Sequence, residues 1–159
     1  MNYLALLLSF ALLSGCRATA VDDDLTLTES YSLTHLTGET VALDFDALPR
    51  PLLLVVWQSW CGQCRDECPA VSQLVRTGDG AWDTLGVSVD KRASDAREFV
   101  DELHPAYDSV HDPDLAFCDA LAVGAAPAFV VVDRSGRVTH RSETADAALA
   151  RALREAVAR

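Results

Sequence analysis

The chain has 159 residues, 50% of them hydrophobic and 23% charged, with 24 acidic against 13 basic side chains and a net charge of −11. Such a composition fits one folded domain and excludes collagen-like, wholly disordered and multi-pass membrane classes. So acidic a surface repels phosphate backbones, which argues against nucleic-acid binding.

Residues 4–13 (LALLLSFALL) form an apolar run of ten, too short to cross a bilayer as a helix. Leu13-Ser14-Gly15-Cys16 follows directly. An apolar run ending in small residues is the pattern of a cleaved export signal, here over 1–15. The tetrapeptide resembles the bacterial lipobox, and the resemblance implies that Cys16 becomes the lipid-modified first residue, anchoring the chain to a membrane. No Lys or Arg precedes the apolar run, which departs from that pattern and leaves a plain secretory signal as the alternative. Residues 16–30, including Asp22-Asp23-Asp24, read as a solvated acidic tether. The folded domain is expected over 31–159.

Alternation through Tyr31 and Leu33, then Val41, Leu43 and Phe45, predicts a β-hairpin turning near Thr37–Glu39. The unbroken apolar run Leu52–Trp57 predicts a central strand buried on both faces. Cys64, Cys68, Val71, Leu74 and Val75 follow helical spacing from Gly62 to about Arg76. A strand is expected over 84–89, then a helix over 94–103 capped by Ser94 or Asp95. Tyr107–Val110 reads as a short strand, and Asp112-Pro113 as the opening of a helix running to about Ala122. Ala128–Val132 is a further strand, Asp133–Gly136 a hairpin turn, and Arg137–His140 the returning strand. An Ala-rich helix over 144–158 closes the chain. The order predicts an α/β fold: a mixed central sheet flanked by helices, with an N-terminal β-hairpin extension.

Without Cys16, four cysteines remain, and Cys61, Cys64 and Cys68 crowd into one short stretch. Staples between distant loops are not distributed that way. Trp60-Cys61-Gly62-Gln63-Cys64 falls where a buried strand gives way to a helix. A thiolate at a helix start faces unsatisfied N–H groups and the positive end of the dipole, so its pKa falls and it attacks disulfides at neutral pH. Cys61 is therefore the expected exposed nucleophile. Cys64, one turn in, is the shielded resolving thiol that breaks the mixed disulfide. A C-x-x-C is also half a zinc site, but no second paired motif supplies the other ligands; no metal or other cofactor is expected.

The string LLVVWQSWCGQCRDECP, with Pro69 and with Ala126-Pro127-Ala128-Phe129 before a late strand, resembles the TlpA/ResA-type envelope thiol–disulfide oxidoreductases. The likeness runs from about Tyr31 to the C-terminal helix. It implies a thioredoxin-like fold and reversible dithiol/disulfide exchange. It also implies a reducing role toward exported cysteine-containing proteins, often apocytochromes c, supplied with electrons by a membrane redox donor. Pro127 would be the family's cis proline, presenting the Ala126 backbone to a client strand beside Trp60. Glu67, three positions after Cys64, would be the family's glutamate and carry the resolving thiol's proton; a solvated surface carboxylate is the alternative. The family usually has Thr where this chain has Ala128. A monomer is expected.

Cys68 and Cys118 have no family role to borrow and read as small buried hydrophobes, with a bridge between them as the alternative. The rival function is a metallochaperone. Cys64-Arg65-Asp66-Glu67-Cys68-Pro69 also resembles the C-x-x-x-C-P of Sco-type copper proteins, but the stretch before the late strand, Val123–Ala126, lacks the histidine such proteins need.

Overall fold

The computed structural model describes residues 25–159. The expected signal segment, Cys16 and the acidic run lie outside the described residues. Seven strands form one mixed sheet in the order β2-β1-β5-β4-β3-β6-β7: β1 (Ser30–His35), β2 (Thr40–Asp44), β3 (Leu52–Trp57), β4 (Asp83–Ser88), β5 (Asp108–His111), β6 (Ala128–Val132) and β7 (Val138–Ser142). The helices are α1 (Gly62–Gly78), α2 (Ala93–Leu103), α3 (Ala116–Ala120) and α4 (Ala147–Val157). Among the described residues, no helix is long and apolar enough to cross a membrane.

All six residues of β3 are buried, as their continuous apolar run requires. The strand pairs in parallel with β4 and antiparallel with β6. Strand alternation then divides the core in two. Leu52, Leu54 and Val56 meet Phe45, Phe117, Leu121 and Val130 on one face. Leu53, Val55 and Trp57 meet Phe99, Val131, Leu149 and Leu153 on the other, under α1, α2 and α4. The register sets Trp57 beside Ser88 and Val56 beside Ala128. The start of α1, the β4–α2 connection and the loop before β6 therefore converge at one end of the sheet.

Gly86 lies in mid-strand on the second face. A Cβ there would sit 2.9 Å from Trp57 Nε1 and would strike Ser109 Oγ. The missing side chain is what lets the Trp57 indole lie flat and stack on Phe99 at 4.2 Å between centroids.

Three expectations are corrected. Leu25 and Leu27, assigned to a solvated tether, are docked: Leu27 N donates to Gly136 O at 2.8 Å, Val138 N donates to Leu25 O at 2.9 Å, and Leu27 is buried. Gly136 has a φ of +78° and its α-carbon faces Leu27 O, so any side chain would break that contact. The helix expected from Asp112 begins only at Ala116. Asp112 instead reaches forward, its Oδ2 accepting from Phe117 N at 3.1 Å and Cys118 N at 2.9 Å, so Pro113–Leu115 must loop out as a turn. Neither Ser94 nor Asp95 caps α2; Arg92 precedes it with no side-chain cap, and Asp95 takes the Arg92 Nε–H at 3.0 Å.

Candidate active site

Cys61 is the N-cap of α1, and the extended backbone there (φ −76°, ψ 109°) follows directly from the end of β3. Its Sγ accepts the Cys64 N–H at 3.1 Å, taking one of the orphan amides of the first turn. Cys61 and Cys64 are joined as a disulfide with Cα atoms 5.2 Å apart, inside the usual range for such a bridge. Accessibility differs less than the sequence implies: Cys61 is 9% exposed and Cys64 4%.

The loop before β6 closes over the pair. The Ala126–Pro127 peptide bond is cis, and Cys61 Sγ lies 3.8 Å from the Ala126 carbonyl oxygen. Trp60, 76% exposed, flanks the disulfide as an uncovered apolar surface. Thus Trp60, Cys61, Cys64, Ala126 and Pro127, widely separated in sequence, meet at one end of the sheet.

Glu67 is half-buried on α1 and shares a small cavity with Trp57, Cys64, Cys68, Tyr107 and Pro127. Its Oε2 accepts the Ala145 N–H at 3.0 Å. Gln63 reaches the same loop, donating to Glu143 O at 2.9 Å. The first two turns of α1 are thereby fastened to the β7–α4 connection.

The other two cysteines are free and buried. They lie on opposite faces of the sheet: Cys118 packs with Phe117 and Val56, Cys68 beside Val71 and Tyr107 under α1. No bridge between them can form. Burial pushes the Cys118 thiol up to about 12, with Asp112 adding to the shift. Burial also raises Cys68, against the hydrogen bonds of Ser72 and Tyr107. Neither is poised to react. Among the described residues, no three His, Cys, Asp or Glu side chains gather to hold a metal, so Cys64 and Cys68 have no third donor for the copper reading.

Sequence reasoning missed Asp90. It is 3% exposed, and its carboxylate accepts from Ser59 N at 3.0 Å, Ser59 Oγ at 2.8 Å and Ser88 Oγ at 3.0 Å. Arg65 was also missed. Its Nη1 donates to Ser59 O at 3.2 Å, its guanidinium lies 5.5 Å above the Phe99 ring, and it pairs with Glu102.

A thiol pair at a helix start, bridged and partly covered, is built for reversible exchange with an outside disulfide. Known proteins agree. The chain is 25% identical over 138 residues to a thioredoxin-like protein of Haemophilus influenzae, covering 84% of this chain and 79% of that one. It is 30% identical over 97 residues to the thiol:disulfide interchange protein DsbE of Pseudomonas aeruginosa, covering 60% of this chain and 52% of its relative. Among solved structures, a secreted Mycobacterium tuberculosis disulfide oxidoreductase homologous to E. coli DsbE superposes with a TM-score of 0.64 at 22% identity, over 80% of this chain and 94% of its own. That last likeness speaks to the thioredoxin-like fold. Residues 17–153 match the Redoxin family model, and the chain belongs to that family as a thiol–disulfide oxidoreductase.

Proposed function

We propose that this protein works in the bacterial cell envelope, held to a membrane by lipid on Cys16 after removal of residues 1–15, and reduces disulfides in exported cysteine-containing proteins. The observation that carries the reading is the placement of the Cys61–Cys64 disulfide at the start of α1, with Cys61 Sγ 3.8 Å from Ala126 O beside cis Pro127. Export is supported by the apolar run that ends in small residues before Cys16. Apocytochromes c are the clients that the TlpA/ResA resemblance suggests, and a membrane thiol donor returns the electrons. The protein acts as a monomer.

In the reduced protein, the Cys61 thiolate attacks a client disulfide, forming a Cys61–client bond and releasing one client thiolate. A client strand lies along Ala126 and Pro127 and against the exposed indole of Trp60. Cys64 then gives up its proton, with Glu67 as the carrier, and its thiolate attacks Cys61 Sγ. The second client thiolate leaves, and two electrons have passed from the chain to the client. What remains is the Cys61–Cys64 disulfide.

Equilibration of the soluble domain with glutathione tests direction. A potential near thioredoxin's, about −270 mV, is expected, and a value near that of DsbA, about −120 mV, would make the protein an oxidant instead. Cys64→Ser should accumulate a mixed disulfide through Cys61, and Cys61→Ser should form none.

A further inference from the structure

The geometry points to Asp90 as a positioning residue for the redox pair, acting through Ser59. Every polar group of Ser59 is engaged. Its N–H and Oγ–H both go to the Asp90 carboxylate, at 3.0 and 2.8 Å, and its carbonyl accepts from Arg65 at 3.2 Å. Cys61 N donates to Gln58 O at 3.2 Å, closing the Gln58–Cys61 turn around this clamped residue. The turn hangs between two elements of regular structure. Behind it Trp57 is 2% exposed at the end of β3; ahead of it Cys61 opens α1.

A carboxylate 3% exposed is costly to bury unless its lone pairs are filled. Among the described residues no cation pairs with Asp90; donors alone fill it, and Ser59 supplies most of them. The rest of Asp90 is held as firmly, its own carbonyl accepting from His111 Nε2 at 2.7 Å on β5. The clamp thus refers the position of the Trp60-Cys61 step to the middle of the sheet. This matters because the thiolate of Cys61 depends on staying aligned with the Cys64 N–H, 3.1 Å away in the bridged form, and with the other open amides of the first turn. If the turn loosens, the thiolate loses that support and the dithiol form becomes less favoured relative to the disulfide.

The inference rests on the reading of Cys61 as the nucleophile, which Cys61→Ser tests separately. Asp90→Asn brings an amide N–H₂ toward donors that already point inward, so the clamp opens. It also removes a negative charge at the same end of the sheet as the thiolate, which by itself would lower the thiol's pKa and speed its reaction. The two effects have opposite signs, and the measurement separates them. In the reduced soluble domain at pH 7, iodoacetamide labelling of Cys61 should slow by about threefold to tenfold in Asp90→Asn, and the glutathione equilibrium should move toward the disulfide by a similar factor. Ser59→Ala, which leaves the charge and the backbone bond in place, should shift both in the same direction by less. Faster labelling in Asp90→Asn would make Asp90 a charge effect and overturn the assignment, as would rates and equilibria within about twofold of the unaltered protein given the measured span of such shifts. If circular dichroism shows Asp90→Asn unfolded, Ser59→Ala decides alone: a slowed Cys61 upholds the clamp, an unchanged one removes it.

Discussion

Glu67 spends its carboxylate on the backbone of Ala145, accepting that N–H at 3.0 Å while the Cys61–Cys64 disulfide is closed. One side chain thus fastens α1 to the β7–α4 loop and, in the proposed function, also carries the proton of Cys64. Two substitutions separate these duties. Glu67→Gln keeps an oxygen for Ala145 but no longer accepts a proton, and should slow exchange with a model disulfide by up to about 100-fold near neutral pH, less so at high pH. Glu67→Ala should show that loss and reduced thermal stability as well. Stopped-flow rates across pH 5–9 read the outcome. A glutamine variant with an unchanged profile would leave Glu67 only its structural duty.

Cys118 should be silent to alkylating reagents in the folded protein and label only on unfolding, because its thiol is buried and pushed up to about 12. The same shift has a stability consequence. The folded pKa lies above the ordinary 9.0 of the unfolded chain, so the folded state holds its proton longer. That contribution is complete below pH 9 and is lost as pH rises through 12. Denaturant melts at pH 8 and pH 10.5 should show a fall in stability, and Cys118→Val should reduce that fall. An equal fall in the variant would assign the loss to other groups such as Tyr107, whose hydroxyl burial also raises.

Gly86→Ala should destabilise the domain by about 1–3 kcal/mol, the usual range for overpacking. The added methyl would press on Trp57 Nε1 and Ser109 Oγ at the back of the sheet. Chemical denaturation with Trp fluorescence measures it. A variant as stable as the parent would mean that Ser109 and Tyr107 move aside at little cost.

Cys16→Ser should release the protein from the membrane fraction and block signal processing. Several acyl chains on one cysteine hold stably where a single chain is marginal. Mass spectrometry of the purified protein's N-terminus reads the modification directly. A serine variant still bound and still processed would overturn the lipid anchor on Cys16.

Much of the architecture was legible because its causes are local. Leu52–Trp57 and Ala128–Val132 are strands with the bounds read from their unbroken apolar runs. The C-x-x-C at the strand-to-helix junction located the redox pair, since one helical turn sets the sulfur spacing whatever surrounds it. Where a local pattern failed, a distant partner had overridden it. Asp112-Pro113 has the composition of a helix start, yet the Asp112 carboxylate found the amides of Phe117 and Cys118 and moved that start to Ala116. Leu25 and Leu27 look like tether among small and acidic residues, yet the Gly136–Val138 backbone supplied hydrogen bonds to dock them.

By itself, then, the sequence determined the order of elements, the dithiol and its place at a helix start, because periodicity and i, i+3 spacing act within a few residues. Only the tertiary structure decided what holds the dithiol. Asp90 is 31 positions from Ser59 and Glu67 is 78 from Ala145; no local pattern marks either pair. Such partners are chosen by which donors the closed sheet leaves without water, and that is settled only when β3, β4 and the β7–α4 loop are brought to one end.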